Sequence, residues 1–151
     1  MRHFYFTILV IVFGFTITTS CSSDDDEMTP VVEPTFLELH QGTLWQIAIN
    51  EFNSEYLMFH NDASVPFEQW LLIYGAGCYE HSNYKLSDFD ATITENTEEY
   101  LEITFNSGHV WLFAVEEDLM IWVDVTTEGI YNYIYEKQDS AIVDDLVMCT
   151  Q

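Results

Sequence analysis

The sequence predicts an all-β protein of about eight or nine short antiparallel strands, which form a small barrel or a sandwich. Two observations lead to this prediction. Short apolar or alternating segments recur between turn-forming clusters from residue 43 to residue 138. In the same region no long segment carries the period of an amphipathic helix. Closing such a sheet on itself would also remove exposed strand edges.

The clearest strands lie between residues 88 and 137. Leu101, Ile103 and Phe105 alternate with polar residues, which is the pattern of a half-buried strand. The segment 110–115 is apolar on both faces, and we therefore expect it to be covered on both sides. The segment 119–125 is again apolar, interrupted only by Asp124. Turn residues such as those at 106–108 separate the segments and predict a meander. Its five strands are expected at 89–94, 101–105, 110–115, 119–125 and 130–136.

Earlier strands and two short helical segments complete the predicted domain. Ser64 is placed to cap one helical turn that has Pro66 in its first turn. Ser140 is placed to cap a short helix with four aliphatic residues on one face, although a strand is an alternative for this segment. Those four are Ile142, Val143, Leu146 and Val147. The earlier strands are expected at 43–50, 55–60, 70–74 and 78–86.

The N-terminus predicts export and lipid attachment. A basic start precedes an apolar run at residues 4–17, whose length fits the ~7–15 residues of a signal-peptide core and not the ~20 of a membrane span. Small residues then lead to Cys21. This arrangement resembles a bacterial lipoprotein signal, which implies a signal peptide at 1–20 and acylation of Cys21. An ordinary secretory signal and an uncleaved anchor are the alternatives.

The residues after Cys21 predict the side of the membrane on which the domain lies. The stretch 22–27 is Ser-Ser-Asp-Asp-Asp-Glu, which resembles the acidic export signal of surface lipoproteins in Bacteroidota-type bacteria. A solvated acidic tether is the plainer interpretation, and both can hold. We expect a flexible linker at 21–34 and a folded domain at 35–151, anchored through lipid to the outer membrane and facing the cell exterior.

Charge excludes some classes of partner. The chain has 26 acidic and three basic residues, and removal of the signal would leave two lysines and a net charge of −24. Such a chain does not bind nucleic acid or an anionic membrane by charge attraction. It suits a cationic protein, although solubility outside the cell accounts for the charge equally well.

The cysteines predict one disulfide. With Cys21 used for lipid, Cys78 and Cys149 form an even pair in an oxidising compartment. Two free thiols or a pair of metal ligands are the alternatives. A bridge would close a long loop and join the C-terminus to the middle of the domain.

Aromatic residues predict a binding surface. By alternation, Tyr131, Tyr133 and Tyr135 share one face of the last meander strand. Trp111 lies on a neighbouring strand and Trp122 on the next. Rigid aromatic rings suit stacking on sugars or enclosing an apolar ligand. An aromatic barrel core is the alternative, and an outward-facing tyrosine stripe would favour binding.

A family resemblance adds to these expectations. Gly42-Thr43-Leu44-Trp45 at the start of the first strand resembles the Gly-x-Trp opening of lipocalin-like domains, with one extra residue between Gly42 and Trp45. The later meander is similar to small lipocalin-like lipoprotein domains over about residues 37–138. The resemblance implies a small antiparallel up-and-down barrel of about eight or nine strands, with an apolar interior and a small apolar ligand.

No motif points to catalysis, a cofactor or a metal. The sequence contains no nucleophile elbow, phosphate loop or metalloprotease motif. Glu116-Glu117-Asp118 offers oxygens to Ca²⁺ but reads equally as a hairpin turn, and the histidines have no metal-ligand spacing. We therefore expect a non-enzymatic surface lipoprotein that binds a small apolar ligand or a partner. The alternative is an acidic inhibitor or immunity-type module that neutralises a basic secreted protein.

Overall fold

The computed structural model describes residues 32–50 and 53–150. The predicted signal peptide, Cys21 and nearly all of the predicted linker lie outside the described residues. The described part begins with α1 (Phe36–His40), which the sequence reading did not predict. Thr35 and Glu38 form a reciprocal capping box that satisfies the first backbone N–H groups of this helix. Phe36 and Leu37 are buried in the core, so the helix packs against the sheet despite its short length.

Nine antiparallel strands follow α1, and the prediction of an all-β up-and-down sheet is confirmed. Short turns join the strands of the meander. The β7–β8 turn holds Glu117 at φ 57°, a left-handed conformation that non-glycine residues adopt uncommonly. The strands are β1 (Leu44–Asn50), β2 (Asn53–Phe59), β3 (Phe67–Ile73), β4 (Cys78–Asn83), β5 (Ala91–Asn96), β6 (Tyr100–Phe105), β7 (Val110–Glu116), β8 (Leu119–Val125) and β9 (Ile130–Gln138).

The strand order places the first and last strands side by side. It runs β4-β3-β2-β1-β9-β8-β7-β6-β5, so β4 and β5 are the two edges of the sheet. The sheet curls around one core, because residues from distant strands meet inside it. The ring centroids of Phe67 on β3 and Phe113 on β7 are 5.5 Å apart, and those of Phe59 on β2 and Phe113 are 5.4 Å apart.

The sheet is not closed into a complete barrel, and the C-terminal segment explains why. The backbone N–H of Tyr79 on β4 donates to the carbonyl of Val147, at 2.8 Å, and the N–H of Cys149 donates to the carbonyl of Tyr79, at 3.0 Å. The free edge of β4 is therefore paired with the end of the chain at this point and not with β5. This pairing also protects the edge from other chains.

The C-terminal segment also covers the outer face of β1–β3. We call residues 139–149 the strap. It contains a 3₁₀ helix (Ser140–Asp145) that is capped by Asp139 and not by Ser140. Ile142, Val143 and Leu146 pack on a second apolar cluster, formed by Leu44, Tyr56 and Trp70. The Cys78–Cys149 disulfide fastens the end of the strap to β4, which confirms the predicted pairing.

Three local predictions need correction. The predicted helical turn at Ser64–Pro66 is wrong. The chain forms a turn there, closed by a bond from the Val65 N–H to the Asp62 carbonyl, and enters β3 at Phe67. Val147, which we expected on the apolar face of the C-terminal helix, is exposed. The outer face of β7, which we expected to be covered, is only half-buried at Val110, Leu112 and Ala114.

Candidate functional site

The five aromatic residues singled out in the sequence lie on the core-facing side of β7–β9. Strand register puts them in three rows, since directly paired residues point to the same side of a sheet. Tyr131 pairs with Asp124, Tyr133 pairs with Trp122, and Tyr135 pairs with Met120. Asp124 also pairs with Trp111, which lies on β7, the other neighbour of β8. We call this surface the aromatic wall: Trp111, Trp122, Tyr131, Tyr133 and Tyr135.

Exposure falls along the wall from the β8–β9 turn into the core. Tyr131 is 46% exposed and Tyr133 is 36% exposed, whereas Tyr135 is 1% exposed. The reason lies in the neighbouring strand. β1 pairs with β9 only at residues 44–46, opposite 138–136, while β8 pairs with seven residues of β9. Among the described residues, the part of β9 nearest the β8–β9 turn pairs with β8 and has no paired strand on its other edge.

Four of the five rings of the wall meet at Trp122. The ring of Trp122 is 5.1 Å from that of Trp111 and 5.5 Å from that of Tyr133, measured between centroids. The ring of Tyr131 lies close to Gly129: a Cβ atom built on that glycine would be 3.9 Å from the ring. The aromatic surface therefore runs from the exposed Tyr133 through Trp122 to the buried Tyr135, and Tyr131 lies beyond it beside the β8–β9 turn.

The deeper core is filled by side chains. Trp45, Phe59, Phe67 and Phe113 are fully buried there. A cavity of about 480 Å³ lies beside Tyr79–Ser82 and the end of the strap, and one of about 320 Å³ lies at the β3–β4 hairpin. Neither cavity is lined by a residue of the aromatic wall. A ligand on the wall would therefore lie at its exposed end and not in either of these cavities.

Polar groups line the exposed end of the wall. His109 Nε2 is in close contact with Asp124 Oδ1, and the indole Nε1 of Trp111 lies 3.1 Å from the same histidine nitrogen. One ring nitrogen cannot do both at once: a protonated Nε2 donates to Asp124, and an unprotonated Nε2 accepts from Trp111. When Nε2 carries a proton and donates it to Asp124, the N–H of Trp111 is free to bond another acceptor.

A second polar group lies deeper. The hydroxyl of Tyr135 donates to Glu55 Oε1 at 2.5 Å, and both residues are buried. Burial raises the pKa of Tyr135, and the adjacent Glu55 carboxylate raises it further. Tyr84, whose hydroxyl donates to Gln69 Oε1 at 2.7 Å, also has a raised pKa, mainly through burial. Both phenols are therefore neutral donors at any pH near 7.

One buried donor on the wall has no acceptor. The indole Nε1 of Trp122 makes no hydrogen bond within the described part of the chain, and Trp122 is itself buried. Leaving such a donor unpaired costs about 1–3 kcal/mol. Trp45 Nε1 shares this property in the core, so an unpaired indole is not peculiar to the wall.

A histidine–carboxylate cluster was not anticipated from the sequence. His60 Nε2 lies 3.1 Å from Glu68 Oε1, and His81 Nε2 lies 2.6 Å from Glu68 Oε2. Strand pairing brings them together, since Glu68 and His81 lie on β3 and β4. Across the described residues, no group of three His, Cys, Asp or Glu side chains is arranged to hold a metal ion. Cys78 and Cys149, for which a pair of metal ligands was an alternative, are joined in the disulfide.

Comparisons with known proteins give no family. No family model matches the chain, and searches of curated proteins and of solved structures also find no match. None of the helices among the described residues has the length and apolar character needed to cross a membrane. Function is therefore inferred from the residues of the wall and from the surfaces around it.

Proposed function

We propose that this chain is a non-enzymatic surface lipoprotein whose β domain binds a small apolar ligand on the aromatic wall. The observation that carries the proposal is the exposure of Tyr131 and Tyr133, which lie on the core-facing side of β9 but fill no core. Exposed rings that continue a buried aromatic surface favour contact with another molecule.

The chemistry of the wall suggests the kind of ligand. A flat apolar face would stack on the two tyrosine rings. A hydrogen-bond acceptor at its edge would meet the N–H of Trp111, which otherwise lies 3.1 Å from His109 Nε2. The excess of 26 acidic over three basic residues disfavours an anionic ligand through its overall field. We therefore favour an uncharged aromatic or alicyclic molecule.

The proposal is tested by fluorescence titration with N-phenylnaphthylamine, an uncharged apolar probe. We expect saturable binding to the wild-type domain. Replacement of both Tyr131 and Tyr133 by alanine should weaken it at least about tenfold, equivalent to about 1.4 kcal/mol. Anilinonaphthalene sulfonate, which resembles the probe but is anionic, should bind more weakly than the neutral compound.

The matched control is Tyr74→Ala, which removes an exposed tyrosine in the β3–β4 turn, away from the wall. This variant should bind N-phenylnaphthylamine as the wild type does. Unchanged binding in the Tyr131→Ala, Tyr133→Ala variant would contradict the proposed site.

The lipid anchor is proposed from the N-terminal sequence. Cys21 follows the signal-like segment and precedes the acidic stretch at 22–27, which supports anchoring in the outer membrane with the domain facing the cell exterior. Attachment through several acyl chains would hold the domain stably, where a single chain gives only marginal binding.

Labelling with radioactive palmitate in a bacterial host tests this part of the proposal. The wild type should incorporate label and Cys21→Ala should not. The Cys78→Ala, Cys149→Ala variant serves as the control and should keep the label. Incorporation that persists in Cys21→Ala would refute lipid attachment at this residue.

A further inference from the structure

The side of β7–β9 opposite to the aromatic wall is a largely apolar surface, in which Asn132, paired with Val123, is the polar member of the rows on β9. Strand register puts the residues of this side in rows across the three strands, and they point away from the core. We call it the outer apolar face: Val110, Leu112, Ala114, Leu119, Ile121, Val123, Val125, Ile130 and Ile134. Monomeric soluble proteins rarely expose contiguous apolar surfaces of this kind without a function.

The outer faces of the two halves of the sheet differ in how far the rest of the chain covers them. On β1–β3 the outer residues Leu44, Tyr56 and Trp70 are buried beneath the strap. By contrast, Leu119 on β8 is 44% exposed, and Ile134 and Ile130 on β9 are 60% and 66% exposed. The other residues of the outer apolar face are half-buried. The strap shows how an outer face of this sheet is covered, by a short helical segment carrying aliphatic side chains. Nothing in the described part of the chain does this for β7–β9.

Charge around the outer apolar face identifies the occupant. Glu116 and Glu136 pair with Leu119 on its two sides, and Glu102 pairs with Leu112. None of the residues in these rows is a lysine, arginine or histidine. Lys137 follows Glu136 in the chain, but alternation points it to the other side of β9. The face therefore has an apolar centre, and the charged residues of its rim are all acidic, beside the uncharged Tyr100 and Thr104.

Like-charge repulsion excludes two other occupants. A second copy of the chain placed on this face would bring two sets of rim carboxylates together, and like charges in apposition cost several kcal/mol. An anionic lipid surface would be repelled in the same way. We propose that the outer apolar face docks a cationic protein, whose surface offers apolar residues at the centre and lysine or arginine around them. This proposal does not depend on ligand binding at the aromatic wall, which lies on the other side of the sheet.

A defined probe tests the proposal. It is a helical peptide with leucine on one face and lysine on the other, and the comparison peptide has glutamate in place of every lysine. Titration calorimetry at moderate salt should show binding of the lysine peptide and none of the glutamate peptide. Neutralising the rim in Glu102→Gln, Glu116→Gln, Glu136→Gln should weaken binding about tenfold and reduce its salt dependence.

A matched variant distinguishes the effect of the rim carboxylates from the effect of the overall net charge. Glu33→Gln, Glu80→Gln, Asp88→Asn removes the same number of charges at exposed positions that lie away from the outer apolar face. Its affinity for the lysine peptide should stay within about twofold of the wild type. Equal weakening in both triple variants would overturn the proposal, since it would mean that the peptide responds only to overall charge.

A single substitution separates docking from charge attraction. Ile134→Asp adds a negative charge at the centre of the face, so pure charge attraction would strengthen binding of the lysine peptide. Docking on apolar surface predicts the opposite, a weakening of about tenfold. Leu39→Asp adds the same charge on α1, where Leu39 is exposed, and should leave affinity unchanged or slightly increased. Affinity that rises in Ile134→Asp would overturn the proposal.

Methyl NMR of the wild-type protein provides a test that needs no folded variant. On addition of the lysine peptide, the methyl signals of Ile121 and Ile134 should shift, and that of Ile103, which is buried in the core, should not. Shifts confined to residues outside the outer apolar face would place the peptide elsewhere and refute the docking site.

Discussion

Replacing both Cys78 and Cys149 by serine should lower the free energy of unfolding by about 4 kcal/mol. The disulfide closes a loop with a sequence separation of 71 residues, and its loss restores the entropy of that loop to the unfolded chain. The folded state is weakened as well, because the bond fastens the strap that covers Trp70. Urea unfolding followed by far-ultraviolet circular dichroism measures the change.

The control for this prediction is Cys21→Ser, which removes the remaining cysteine and should leave the unfolding midpoint unchanged. Reduction of the wild-type protein should lower the midpoint as far as the double substitution does. If the double variant unfolds at the wild-type urea concentration, the strap does not contribute to stability in the way described.

Truncating Phe113 to alanine should destabilise the domain by about 3–5 kcal/mol. Phe113 is fully buried, and its ring contacts those of Phe59, Phe67 and Trp122 from three different strands. It lies where the two halves of the curled sheet meet, so neighbouring strands cannot collapse onto the space it leaves without changing the curl. Chemical denaturation of the variant measures the loss.

The matched control is Phe89→Ala, which removes the same side chain from an exposed position. Phe89 stacks on Tyr84, so a loss of at most about 1.5 kcal/mol is expected from that contact. Equal losses in the two variants would contradict the placement of Phe113 at the centre of the core.

Much of the fold follows from local patterns in the sequence. Alternation at Leu101, Ile103 and Phe105 marks β6 because inward side chains must be apolar while outward ones meet solvent. The apolar segments of β7 and β8 were placed correctly, but the full coverage expected for β7 was not found. An apolar outward side chain does not require a cover, because more than half of the accessible surface of a folded protein is apolar.

The parts of the fold that were missed depend on contacts distant in sequence. α1 has only five residues, and its capping box lies directly after Pro34 in a segment that resembles a linker. The open edge between β4 and β5 depends on where the strap meets Tyr79. Neither the path of the strap nor its pairing leaves a periodic signal in the sequence.

The candidate site was predictable in part. Alternation alone placed Tyr131, Tyr133 and Tyr135 on one face. Their exposure was not predictable, because it depends on how many residues of β9 pair with β1. The contact of Tyr135 with Glu55 joins residues 80 apart in the chain, and only the assembled sheet brings them together.

The most direct test of the central claim is the position of the bound probe. The protein has four tryptophans, so its indole N–H region in a nitrogen–proton NMR spectrum can be assigned residue by residue. On addition of N-phenylnaphthylamine, the signals of Trp111 and Trp122 should shift, while Trp70 beneath the strap should stay in place. A shift at Trp70, or no change at Trp111 and Trp122 during saturable binding, would show that the aromatic wall is not the binding site.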